Sequence, residues 1–321
     1  MEKKQIEALF LGHAIGDALG VPVEFRGREE LLADPVHEMR GFVSHPVPAG
    51  AWSDDTSMTL AIAESIGRLG HLDLTDVMEN FRKWMDEAAF TPTGEVFDMG
   101  RTCGLAIYNF KQGFSPVECG GRGEGDNGNG SIMRIAPMAP YLYAKYGSQL
   151  PDEVLEEVHD VSSLTHAHPR SQMACGIYVL IAVRLLDGMG LEDAFRDGLA
   201  EAHDRYIASG RFNEEVEIYH RIWDTAAFRA LPLDAIRSSG YVVDTLEAVL
   251  YCLLTTKSYA DCVLKAVNLG EDTDTVGAIA GGLAGLAYGL DAIPKEWKDA
   301  LLKRDGIQKI CASFAEALHH L

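Results

Sequence analysis

The chain has 321 residues, with 48 acidic side chains against 28 basic ones and a formal charge of −20. Such a surface lacks the basic face that nucleic-acid binding needs, and it is equally poor for anionic membranes. A small anionic ligand remains compatible, because a bound cation or a few arginines dominate the local field.

With 47% hydrophobic residues the chain can bury a sizeable core. Ile6, Leu9, Phe10, His13, Ala14 and Asp17 follow helical spacing and predict an amphipathic first helix whose apolar face ends in a polar tip. That reading, rather than a secretory signal, fits the early Lys3 and Lys4 followed by a run broken at His13 and Asp17. Residues 26–50, rich in Gly and Pro, read as loop. Helices are expected from Ser53 to Leu69, around Leu74–Ala88, and over Arg101–Phe110, with a loop at 91–100. The longest irregular stretch runs from Gly113 to Gly130. Further helices are expected at 131–146, 152–164, 170–186, 191–206, 213–225, 243–254, 258–268, 274–290 and 296–318.

Period-two alternation is almost absent, so the expected fold is all-α with long functional loops. No linker divides the chain and no repeat recurs, so residues 1–321 are expected to form a single domain. Gly277, Gly281, Gly285 and Gly289 recur every four residues, which predicts close packing of a central helix. The longest uncharged run, 275–290, is too short and glycine-rich for a membrane span. Six scattered cysteines without CxxC pairs predict a reduced, cytoplasmic protein.

Two acidic clusters, Ser53-Asp54-Asp55-Thr56 and Asp272-Thr273-Asp274-Thr275, each open an apolar helix. At a helix start the first residue is non-helical, so adjacent acids can converge on one ligand. Either cluster alone reads simply as helix caps and partners of the helix dipole. Two of one kind, each before a Gly/Ala-rich helix, favour an all-oxygen shell for hard cations such as magnesium or manganese over zinc. If they cooperate, one fold must bring them together.

The loop GGRGEGDNGNGSIMR (120–134) contains GxGxxG, but no strand precedes it and no Lys-Ser or Lys-Thr follows, which excludes Rossmann and Walker A sites. It reads either as a mobile surface loop or as a phosphate-holding backbone that leads into a helix at Ser131, with Arg134 one turn in. The pair His166-x-His168 lacks further zinc ligands, so one histidine is expected to hydrogen-bond in the core or in a polar pocket. Asp98 reads as a cap on sequence grounds. Glu24, between apolar neighbours, suggests partial burial and some role beyond solvation.

Taken together, GHAIGDALGVPVEF (12–25), WSDDTSMT (52–59), FDMGRT (97–102), GNGSIMRIAP (128–137), THAHP (165–169), GYVVDTLEAVL (240–250) and NLGEDTDTVGAIAGGLAG (268–285) resemble the ADP-ribosylglycohydrolases in the family's order and over nearly the whole chain. The resemblance implies a compact orthogonal multi-helix fold and a site for two Mg2+ or Mn2+ ions held by Ser53, Asp54, Asp55, Asp272, Asp274 and Thr275. The family commonly has threonine where Ser53 stands, so a hydroxyl is kept. Asp98 matches the acid that family members place beside the scissile bond and Glu24 a glutamate that lines the cleft in some members, the main acid/base being one or the other according to subfamily, with Asp55 in the catalytic centre. Asn129, Gly130, Ser131 and His166 would flank the diphosphate and distal ribose, and Tyr241 would wall the distal ribose or adenine.

The activity so implied is removal of ADP-ribose from a modified protein side chain, arginine first, with release of ADP-ribose. Other linkages (serine, a nucleobase, an O-acyl ester) are the alternatives. A non-catalytic or immunity-type protein that occludes an ADP-ribosyltransferase toxin is a further one. The chemistry is coherent: carboxylates stabilise oxocarbenium character while a positioned water traps it.

Overall fold

A computed structural model describes residues 1–321. The elements are all helical. They run α1 (Lys3–Gly20), α2 (Arg28–Ala33), α3 (Asp54–Leu69), α4 (Leu74–Glu87), α5 (Arg101–Lys111), α6 (Met138–Tyr146), α7 (Val154–Ser163) and α8 (Pro169–Leu186). They continue with α9 (Leu191–Ser209), α10 (Asn213–Ile218), α11 (Thr225–Arg229), α12 (Val242–Leu254), α13 (Tyr259–Val267), α14 (Thr273–Tyr288), α15 (Lys295–Ala300) and α16 (Arg304–Leu318). The only β pairing is two isolated bridges, Gly121 with His166 and Gly128 with Tyr241.

The fold is built on α1 against α14, the most extensive helix pair in the protein. Both helices present glycine where they meet. A Cβ on Gly16 would lie 1.9 Å from the Gly277 carbonyl oxygen, and one on Gly12 would lie 2.4 Å from that of Gly281. Glycine costs about 1 kcal/mol per position against alanine in a helix. Backbone-to-backbone approach is what that cost makes possible, and α14 is buried without interruption from Thr273 to Leu286. One contiguous apolar cluster of 93 buried residues surrounds the pair, which makes the floor beneath the loops rigid.

Several expectations need correction. α1 is not one-sided: every residue from Ala8 to Gly20 is buried, because α3, α13 and α16 also cover it. The helix expected over 131–146 is a 3-10 turn (Ile132–Arg134) followed by α6, with Pro137 at the junction. The stretch 213–225 breaks after Ile218 into a 3-10 turn and α11, whose start is capped by the Asp224 carboxylate. The expected helix 296–318 breaks at Lys303, which has a positive φ of 45°. The loop 26–50 contains α2. All six cysteines are unpaired and buried.

Candidate active site

The first acidic cluster is held by the polar tip of α1, which is not among the expected site residues. Asp17, in the last turn of α1 and fully buried, accepts hydrogen bonds from Ser53 N (2.9 and 3.1 Å), Thr56 N (3.1 Å) and Thr56 Oγ1 (2.6 Å). It therefore satisfies free donors at the start of α3 and fixes that start to α1. Ser53 is the N-cap as well. Its Oγ accepts from Asp55 N at 3.3 Å and donates to Asp55 Oδ2 at 3.1 Å. Capping and site-building are here the same set of contacts. The signal for Asp17 was an acid flanked by Gly16 and Ala18 in an otherwise apolar run.

The second cluster arrives through close backbone contact. A Cβ on Gly20 would lie 2.3 Å from Asp274 Cα, and Thr273 Oγ1 donates to Gly20 O at 2.8 Å. Thr275 Oγ1 then reaches Asp55 Oδ2 at 3.3 Å, across 220 residues of sequence. Asp272 Oδ2 accepts from Asn129 Nδ2 at 2.8 Å. Just upstream, Phe25 N donates to Glu271 O and Glu271 N to Arg26 O, each at 2.7 Å. Phe25 and Glu271 both hold positive φ (66° and 62°), a strained conformation that this reciprocal pair locks. The clamp brings Glu24 to the second cluster: carboxylate oxygens of Glu24, Asp272 and Asp274 all lie within 4.8 Å of one another.

These residues floor a cleft of about 310 Å³, lined among others by Glu24, Asp54, Asp98, Asn129, Gly130, His166, Asp272 and Thr275. Asp98 sits at a positive φ of 53° and shares a second cluster, within 4.8 Å, with Glu24 and His45. His45 Nε2 contacts the Glu24 carboxylate. Burial pushes the Glu24 carboxyl up to about 10, and the charges of Asp98, Asp272, Asp54 and Asp17 push the same way. Asp54, Asp55 and Asp274 are likewise held well above the usual carboxylate range, by burial first and then by neighbouring acids. Burial also raises Asp98, opposed by His45. Asp17 is pushed up to about 7, its burial partly offset by the Thr56 and Ser53 hydrogen bonds.

No lysine or arginine pairs with any of these acids. Asp55 Oδ1 and Asp274 Oδ2 are buried without a hydrogen-bond partner. Oxygen atoms in that state, in an all-oxygen set of carboxylates and hydroxyls, fit hard divalent cations.

The glycine loop is pinned on both sides. Gly121 N donates to Thr165 O and Ala167 N to Gly121 O, while Asn129 N donates to Gly240 O and Val242 N to Asn127 O. This excludes the free surface-loop reading. His166 lines the cleft beside Gly130, is buried, and is pulled down to about 3 by burial and by Arg134, so it is neutral. Ser131 does not line the cleft; its hydroxyl lies buried below it, 3.5 Å from Cys175 Sγ. Arg134 also turns inward, donating to Val161 O (3.1 Å) and Thr165 Oγ1 (2.7 Å). Tyr241 stands beyond the cleft, its hydroxyl accepting from Arg170 at 3.0 Å. His168 is the N-cap of α8 and does not join His166.

The family model described as ADP-ribosylglycohydrolase matches residues 2–321. The chain belongs to the ADP-ribosylglycohydrolase family. It is 33% identical to "ADP-ribosylarginine hydrolase Tri1" of Serratia proteamaculans over 94% of this chain and 76% of that protein. It is 32% identical to "ADP-ribosyl-[dinitrogen reductase] glycohydrolase" of Rhodospirillum rubrum, over 91% and 88% respectively. A solved structure, "ADP-ribosylglycohydrolase-related protein complex", superposes with a TM-score of 0.78 at 28% identity, covering 98% of both chains. The all-α expectation is thus borne out, and the chain is an ADP-ribosyl hydrolase.

Proposed function

We propose that this enzyme removes ADP-ribose from arginine side chains of modified proteins, using two divalent cations, magnesium or manganese. The observation that carries the reading is the convergence of two carboxylate clusters 220 residues apart, with buried oxygens on Asp55 and Asp274 left unpaired. The choice of arginine is supported by two relatives named ADP-ribosylarginine hydrolase at 33% and 31% identity.

Ser53, Asp54, Asp55, Asp272, Asp274 and Thr275 would hold the ions. When bound, such ions would orient the ribose hydroxyls and acidify a water. Asn129 and Gly130 line the cleft from a loop fixed by its backbone hydrogen bonds, Asn129 also donating to Asp272, and His166 beside Gly130 would face the diphosphate. The C1″–N bond breaks as positive charge develops on the ribose, and the surrounding carboxylates stabilise it. Asp98, on its strained turn beside Glu24, takes a proton from the incoming water at its carboxylate; that proton then goes to the departing guanidine nitrogen. Glu24 stands beside Asp98 with its carboxylate against His45 and would be the second group able to hold or move a proton there.

Incubating the protein with Mg2+ or Mn2+ and peptides ADP-ribosylated on arginine or on serine, and following ADP-ribose by mass spectrometry, tests this reading. Release from arginine, abolished by EDTA, is expected. Release from serine alone would move the assignment to another linkage.

A further inference from the structure

The protein exposes twelve large apolar side chains, and half of them fall in three short segments, 25, 42–43 and 99–108, the first and last of which contain residues that line the cleft. Scattered exposed apolar residues need no explanation, but a concentration around one opening does. α5 shows how it is organised. Cys103, Ala106 and Ile107 face the core, whereas Arg101, Leu105 and Tyr108, at i, i+4 and i+7, form one outward stripe. Arg101 lines the cleft. Leu105 and Tyr108, 51% and 55% exposed, lie about 6 and 10 Å further along the axis. Met99, folded over Gly104, extends the stripe toward the mouth.

Phe25, which also lines the cleft, is 73% exposed while its backbone is held at positive φ by the Glu271 clamp. Its ring leans on His45 (6.2 Å between centroids), which leans on Phe97 (5.3 Å). Phe42 stands on the strap whose Ser44 hydrogen-bonds Pro22 O and Glu24 O.

We propose that the α5 stripe, Met99, Leu105 and Tyr108, together with Phe25, is a docking shelf for the folded protein that carries the ADP-ribosyl group. This rests on the proposed protein-side-chain hydrolase function. Continuity with the mouth selects the occupant. A modified side chain reaching the acidic floor draws its own polypeptide onto the surface that borders the opening, and α5 contributes both the lining and the stripe. The partner the shelf fits presents apolar side chains beside its modified arginine. Affinity for the intact protein then comes in part from contacts that a small substrate cannot make.

Leu105→Ser/Tyr108→Ser tests this, with Tyr108→Lys alone as a second variant; neither position touches the cleft. Each is assayed on free ADP-ribosyl-L-arginine and on an intact arginine-ADP-ribosylated protein. The expected result is a rise in KM for the protein of about tenfold, with kcat for the protein and both constants for the small substrate unchanged. Equal effects on the two substrates, or none, overturn the shelf. So does conversion of a wild-type dimer to a monomer without a change in KM, which would make the face a self-association surface. Wild-type protein that cleaves neither substrate overturns the proposed function itself, and the shelf falls with it.

Discussion

Asp55 and Glu215 are both buried carboxylates, yet they live under opposite conditions. Glu215 receives Arg170 Nε at 2.7 Å, and Arg170 is further held by Glu124 and by the Tyr241 hydroxyl. Glu247, also buried, has Arg221 at 2.7 Å. In that half of the protein a buried acid comes with a guanidinium, and the pair is part of the scaffold. At the floor of the cleft, Asp54, Asp55, Asp272 and Asp274 have no such partner, and two of their oxygens are bare. Isolated buried charge is too costly to persist without compensation. The difference separates acids that hold the fold together from acids that wait for a ligand.

The largest expected effect comes from removing one waiting acid. Asp274→Asn should lower hydrolysis by about a thousandfold, as loss of an organising electrostatic group does. Divalent-cation binding by calorimetry should disappear, and the metal-free melting temperature should rise by about 3 °C as repulsion is relieved. A lower metal-free melting temperature would count against uncompensated charge. Glu215→Ala should do the reverse. It leaves Arg170 short of its buried partner and costs about 3 kcal/mol in denaturant unfolding, while cation affinity stays unchanged. A loss of cation binding there would mean the two regions are not separate.

The smallest effect is on pH dependence. In the folded metal-free protein Glu24 is pushed up to about 10 and Asp17 up to about 7, whereas both titrate near 4 when unfolded. The folded state therefore holds more protons from about pH 4 upward, so stability falls as pH rises. The melting temperature without metal should drop by a few degrees from pH 5 to 8. Saturating Mn2+ should flatten that slope, and a metal-free curve that rises over this range would contradict the burial of these acids.

Much of this was legible before any coordinates. The spacing of Gly277, Gly281 and Gly285 announced a backbone-to-backbone contact, although Gly289, expected in the same stripe, is the C-cap of α14, where a Cβ would meet nothing; the paired clusters announced a shared site. What could not be read was which residue connects the parts. Asp17 looks like the wet end of an amphipathic helix because local periodicity cannot see α3, α13 and α16 closing over it. Arg134 follows a glycine loop as a phosphate ligand would, yet its guanidinium turns inward to Val161, Thr165 and the ring of Phe81. The break within 131–146 did carry a local signal, Pro137, whereas Lys303 takes its positive φ with no glycine to announce it. Ser131 and Tyr241 sit in motifs that border the cleft without lining it, a difference of one or two residues that only geometry resolves.

The contact between α1 and α14 also sets an order in time. α1 leaves the ribosome well before its glycine-matched partner, since Gly20 and Thr273, which meet in the fold, are 253 residues apart. At about 5–20 residues per second, the 220 residues between Asp55 and Thr275 take on the order of ten to forty seconds to synthesise. Throughout that interval the nascent chain carries α1 without its most extensive partner, and half of an acidic site. The enzyme cannot begin to assemble its reactive centre until α14 has been made, because Asp272, Asp274 and Thr275 all stand at the start of that helix.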